Sequence, residues 1–218
     1  MNENPGSEES LVFSYLSLRR TIGFLGAALP FVLFLGALII FRTGLQSSMS
    51  SYYHTDMGDV LVGTMCVIGF FLFSYRGYER ADNIAGDLGC IFAVGVALFP
   101  TAPDGCISGD VRLIGYIHLA FAALFFLTLI YFSLFLFTKT GSSQPATKRK
   151  LRRNTIYRIC GYVMSVCIVL MIIYTVLPES GKESFKALHP IFWLEAVAVV
   201  AFGISWLTKG EAIMKDVA

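Results

Sequence analysis

One short run, Ser50–Asp59, reads Ser-Ser-Tyr-Tyr-His-Thr-Asp-Met-Gly-Asp and concentrates one His, two Asp, two Tyr and several hydroxyls. An imidazole in such company can hold a metal or move a proton near neutral pH. The chain has three histidines in all, His54, His118 and His189. Three neutral imidazoles with an open fourth position make a catalytic zinc arrangement, and nearby carboxylates orient the rings or act as base. On that reading His54, His118 and His189 are the metal ligands. Asp59, Glu195 and Ser50 are the candidate catalytic groups, with zinc as the cofactor. The competing reading is that histidines and tyrosines simply sit well at a polar membrane boundary. No HExxH, HxH or HxxxH spacing occurs, and both readings stand at this point.

The elements that must carry these residues are apolar. Hydrophobic residues make up 56% of 218 and charged residues only 15%, with a mean hydropathy of +0.67. Such a composition excludes an ordinary soluble domain. Six apolar segments are expected as helices: Thr21–Phe41, Val60–Tyr75, Ile84–Phe99, Leu113–Thr138, Ile159–Leu177 and Ile191–Leu207. A bilayer core of roughly 30 Å needs runs of about this length, and a spanning segment must satisfy its own backbone groups. The expected fold is therefore all-α: a polytopic bundle of six transmembrane helices over residues 19–209. A polar tail over 1–18 precedes it and a short tail over 210–218 follows. Pro30 predicts a kink in the first helix, and Gly86, Gly89 and Gly95 predict close packing of the third.

Charge orders the topology. With the N-terminus inside, thirteen of the seventeen Lys and Arg residues fall on the inner side, leaving Arg42, Arg112, Lys182 and Lys186 outside. That bias follows the positive-inside rule and places both termini in the cytoplasm of a cell whose plasma membrane holds the chain. The basic run Lys148–Arg153 is then a topology determinant or an anionic-lipid patch, and no nucleic-acid partner is expected. All three histidines come to the outer boundary. Glu195 lies about 9 Å deeper than His189 at the rise of an α-helix. A carboxyl at that depth is costly unless paired, protonated or facing a wet cavity. Asp104 and Asp110 belong to the outer loop between the third and fourth helices. Asp87, near Arg76 and Arg80, predicts a structural ion pair.

The five cysteines, Cys66, Cys90, Cys106, Cys160 and Cys167, form no CxxC pair and predict neither disulfides nor a thiolate metal site. No phosphate loop, dinucleotide fingerprint or Gly-x-Ser-x-Gly elbow occurs.

Ser50-x-x-x-His54 resembles the Ser-x-x-x-His element of the alkaline ceramidase, adiponectin receptor and hemolysin III superfamily. Ser50 and His54 map residue by residue, Asp59 stands only loosely for the family's aspartate, and the chain also has three histidines. The resemblance implies a multi-pass zinc protein, several of whose relatives hydrolyse lipid amides. Phe99-Pro100-Thr101 followed by His118 is similar to bacterial six-helix membrane families, a match that implies a fold and no activity. Two functions remain in view: an outward-facing zinc hydrolase acting on a lipid or membrane-proximal substrate, and a non-enzymatic protein binding lipid or a small ligand, or serving as a small transporter or sensor.

Overall fold

A computed structural model describes residues 5–77, 79–103, 108–139 and 147–214, with side-chain surroundings from Tyr15 onward. Asp104, Cys106 and Lys215 lie outside the described residues. Those described are all-helical and contain no strand. They form α1 (Pro5–Gly36), α2 (Gly58–Ser74), α3 (Arg80–Leu98), α4 (Gly109–Tyr131), α5 (Lys148–Val176), α6 (Glu179–Lys186) and α7 (Pro190–Lys209). Five helices are long and apolar enough to cross a membrane, with α2 shorter and apolar. The outward surface agrees: Phe24, Ile40, Phe70 and Val176 are all at least 65% exposed. Large apolar side chains displayed on every flank suit a lipid solvent and not water.

The helices close a ring in which α1 packs on α2, α2 on α3, α3 on α4, α4 on α5, α5 on α7 and α7 back on α1. Lipid gives no hydrophobic drive for helix association, so close van der Waals contact must supply it. The α1–α7 seam shows how. A Cβ added at Gly203 would come within 2.6 Å of Ala27 N and Gly23 O, which are backbone atoms. In α3, a Cβ on Gly86 would meet Leu72 O at 2.7 Å, and one on Gly95 would overlap the Phe121 ring. The close packing expected of that helix is present.

Three departures from the hydropathy reading have physical reasons. Helix α1 begins at Pro5, inside the stretch expected as a tail, because proline is tolerated in a first helical turn. It runs continuously through Pro30 and ends in a π-helical turn, Ala37–Phe41. The basic run that lay in an expected loop is the first turns of α5, where the Thr147 side chain accepts from Lys150 N as an N-cap. The connection between α5 and α7 contains a short helix, α6. It carries Lys182–Glu179 and Lys186–Glu183 ion pairs, with Phe185 exposed.

Loop contacts sort the bundle into two ends. At one end Arg20 Nε donates to Gly210 O, Lys139 pairs with Glu79 at 2.8 Å, and Arg153 approaches Glu211 at 3.6 Å. Arg76 pairs with Asp87 at 2.8 Å, the ion pair expected there. At the other end lie residues 43–57, the Phe99–Thr101 turn and the α6–α7 corner. Cys66, Cys90, Cys160 and Cys167 are free thiols.

The α1–α7 seam is directly testable. Gly203→Leu has to push two backbones apart and should destabilise the detergent-solubilised chain by about 2–3 kcal/mol, read as a fall in melting temperature. Gly63 faces open space, so Gly63→Ala should leave the melting temperature unchanged or slightly raised.

Candidate functional site: a lidded cavity with one carboxyl

Residues 43–57 fold back over the ring as a lid. The lid holds its own shape through short-range bonds. Ser51 Oγ is hydrogen-bonded to Ser48 Oγ at 2.7 Å and Ser47 Oγ at 3.0 Å, and Thr55 Oγ1 donates to Tyr52 O. A single 3-10 turn, Ser50–His54, carries the tip. Met49, Tyr52 and Met57 point down and are buried. Tyr52 packs on Phe192 of α7 with ring centroids 6.0 Å apart. Burial pushes the Tyr52 phenol above its ordinary pKa, with the Gln46 backbone opposing.

Two bonds fasten the lid to α7. Phe192 N donates to Ser47 O at 3.2 Å. Met49 N donates to Glu195 Oε2 at 2.6 Å, and the Ser50 amide faces the same carboxyl. The Glu195 side chain also lines a cavity of about 50 Å³, whose roof is Met49 and Ser50. Its walls are apolar: Leu29 of α1, Leu61 and Met65 of α2, Val96 of α3, Phe125 of α4 and Phe202 of α7. The cavity is partly open and has room for a few water molecules. No cation pairs with Glu195 among the described residues.

The histidines do something else. His54 Nε2 donates to Thr101 O at 2.8 Å, and buried His118 Nδ1 donates to Phe99 O at 2.7 Å. A carbonyl only accepts, so these nitrogens carry the ring protons. The two imidazoles clasp the Phe-Pro-Thr turn from both sides, one from the lid and one from α4. His189 caps the start of α7 at φ 48, in the left-handed region. Its successor Pro190 disfavours the right-handed helical conformation for it, and the α6–α7 corner uses that.

All three histidines thus lie at the lid end, yet the structure does not gather them. A carbonyl bond on one ring nitrogen is itself compatible with metal ligation from the other. What is missing is convergence: among the described residues no group of three or more His, Cys, Asp or Glu could hold a metal ion. Asp59 is exposed in the first turn of α2, away from the Glu195 contact network. Ser50 is brought to Glu195, but through its backbone. His54 Nε2 is bonded to Thr101 O, and no hydrogen bond links the Ser50 hydroxyl to His54 among the described residues. The residue that sequence reasoning missed is Met49, because an apolar side chain in a polar loop carries no local signal for a cavity roof.

No family model matches the chain, no curated protein does, and no solved structure does. The geometry alone carries the functional argument.

Removing the latch should show as stability. Glu195→Ala leaves the Met49 amide buried without an acceptor and should cost about 1–3 kcal/mol in thermal unfolding. Glu195→Gln keeps a side-chain acceptor and should cost less. Equal losses in the two variants would show that the hydrogen bond is not what holds the lid.

Proposed function

We propose that the chain is a six-pass plasma-membrane protein that binds a lipid-like small molecule from the outer face, in the cavity beneath the 43–57 lid. The observation that carries this reading is Glu195. It is a carboxyl on a membrane-length helix that lines an apolar cavity and bonds the segment closing it. Intramembrane carboxyls are costly and mark binding or transport sites by default. Pockets for amphipathic ligands have this make-up, with predominantly apolar walls and one or few placed polar groups.

The ligand chemistry follows. An acceptor carboxyl without a cation partner recognises a head that donates hydrogen bonds, an amine or a hydroxyl, and the walls take an alkyl chain. The cavity takes only a short segment of chain as it stands, and movement of the lid would make room for more. Breaking Glu195–Met49 exposes the amide to the ligand or solvent as the carboxyl turns to the ligand head.

In the proposed topology α2 is the sixth crossing. Its 17 residues span about 25 Å, the short limit for a bilayer. The Lys and Arg distribution then puts the lid outside and both termini in the cytoplasm. A reporter fused after Ala218 should register as cytoplasmic, and an external signal would turn the lid to the inner face.

The zinc hydrolase suggested by the Ser-x-x-x-His element draws less support from the arrangement of His54, His118 and His189. Zinc added to the metal-stripped chain should leave its melting temperature unchanged. A zinc-dependent rise that disappears in both His54→Ala and His118→Ala would restore the hydrolase reading.

Binding is tested with two probes of equal tail and opposite head, octylamine and octanoate. The amine should raise the melting temperature of the wild-type chain in a dose-dependent way, and octanoate should not. Glu195→Gln should weaken the amine response about tenfold, and Ala122→Phe, which fills the cavity, should abolish it. Equal responses to both probes, or none, would sink the proposal.

A further inference from the structure

The opposite end of the bundle contains a second site, built from cations instead of a carboxyl. Its floor is an aromatic cluster. Trp206 packs against Tyr75, Phe132 and Phe137 at centroid distances of 5.2, 5.3 and 5.1 Å, and Phe137 meets Tyr157 at 5.4 Å. Four cations from three helices converge on this floor. Arg19 of α1 lies over Tyr75 at 5.5 Å, Lys209 of α7 over Phe137 at 5.3 Å, and Lys150 of α5 over Tyr157 at 5.8 Å. Arg153 completes the group, since Lys209 faces Arg19, Lys150 and Arg153 as like charges, with Asp82 opposing.

Two of the four cations have partners of their own: Arg153 pairs with Glu211 at 3.6 Å and Lys150 Nζ donates to Phe137 O at 2.8 Å, while Asp82 lies 3.9 Å from Lys139. Arg19 and Lys209 have no carboxylate within ion-pair distance among the described residues. Two donors in the same cluster are buried without an acceptor, Arg19 Nε and Trp206 Nε1, and Trp206 is fully buried. Converging like charges and orphaned donors are each unfavourable in a low-dielectric setting. One oxyanion offering several acceptor atoms relieves both.

We propose that Arg19, Lys150, Arg153 and Lys209 form a binding site for a phosphate group. It is supplied either by the headgroup of an anionic lipid in the adjoining leaflet or by inorganic phosphate from the aqueous side. Arg and Lys on three different helices would then be bridged by one ligand, which ties α1, α5 and α7 together. Juxtamembrane basic pockets between helices have the chemistry for such headgroups. The site is independent of the lidded cavity.

The full-length chain is reconstituted in phosphatidylcholine bilayers, and its melting temperature is followed as phosphatidylglycerol is mixed in. A parallel titration uses inorganic phosphate against chloride at equal ionic strength. Wild-type protein should gain about 4 °C from at least one probe. A response to phosphatidylglycerol alone assigns the site to the headgroup, and a response to inorganic phosphate assigns it to the free anion. Arg19→Gln and Lys209→Gln should each lose most of the gain, while Lys148→Gln, at an exposed cation of the same end, should keep it. In phosphatidylcholine alone both site variants should melt no earlier than wild type, because a crowded cation has been removed. No gain with either probe, an undiminished gain in both site variants, or earlier melting of those variants in phosphatidylcholine overturns the proposal.

Discussion

The bond between Glu195 and the Met49 amide is the constraint on which the lid end depends. A membrane-embedded carboxyl has few acceptable neighbours, and an unpaired backbone amide beneath a lid has fewer. Each satisfies the other. Because the bond joins α7 to the segment between α1 and α2, it also fixes where Tyr52 and Met57 insert, and so where the cavity ends. Tyr52 settles on Phe192, while Met57 lies against Gly36, where an added Cβ would come within 2.6 Å of its Cε. The roof is thereby set by one polar contact and shaped by apolar ones.

The rest of the ring is held by a different physics. Helix neighbours in lipid approach as closely as their smallest residues allow, and the α1–α7 seam at Gly23, Ala27 and Gly203 closes the circle. A ring that closes by backbone contact on one side can leave space at its centre. The central void lies between α1, α2, α3, α4 and α7, with α5 packed outside its lining. Cavity and seam are two consequences of the same distribution of small and large residues.

Much of this was legible in the chain because lipid imposes strict rules. Uninterrupted apolar runs located all six long elements, but α1 and α5 begin at Pro5 and Lys148, well before the apolar runs that start at Thr21 and Ile159. The cost of a buried carboxyl singled out Glu195. Charge opposition found Arg76 and Asp87. Short helices were harder to see. Helix α6 has only eight residues, and its order rests on local ion pairs and the corner at His189. The histidines mark the firmest limit. Counting charges puts His54, His118 and His189 at one end, but ring direction depends on which acceptor lies nearby. Here the nearest are the carbonyls of Phe99 and Thr101. Lys209 was legible only as one more inner-side charge, since nothing local reveals that α7 ends against Arg19 and the aromatic floor.

The Phe-Pro-Thr turn gains a role from this arrangement. Pro100 has no amide to donate, and the two flanking carbonyls need donors from elsewhere. His118 reaches one from α4 and His54 reaches the other from the lid. The lid is therefore held on two sides by bonds of different character, a carboxyl on α7 and a carbonyl on the α3–α4 turn. The two are not equivalent. His54 is exposed and its bond competes with water, whereas the Glu195 bond is sheltered by the lid itself.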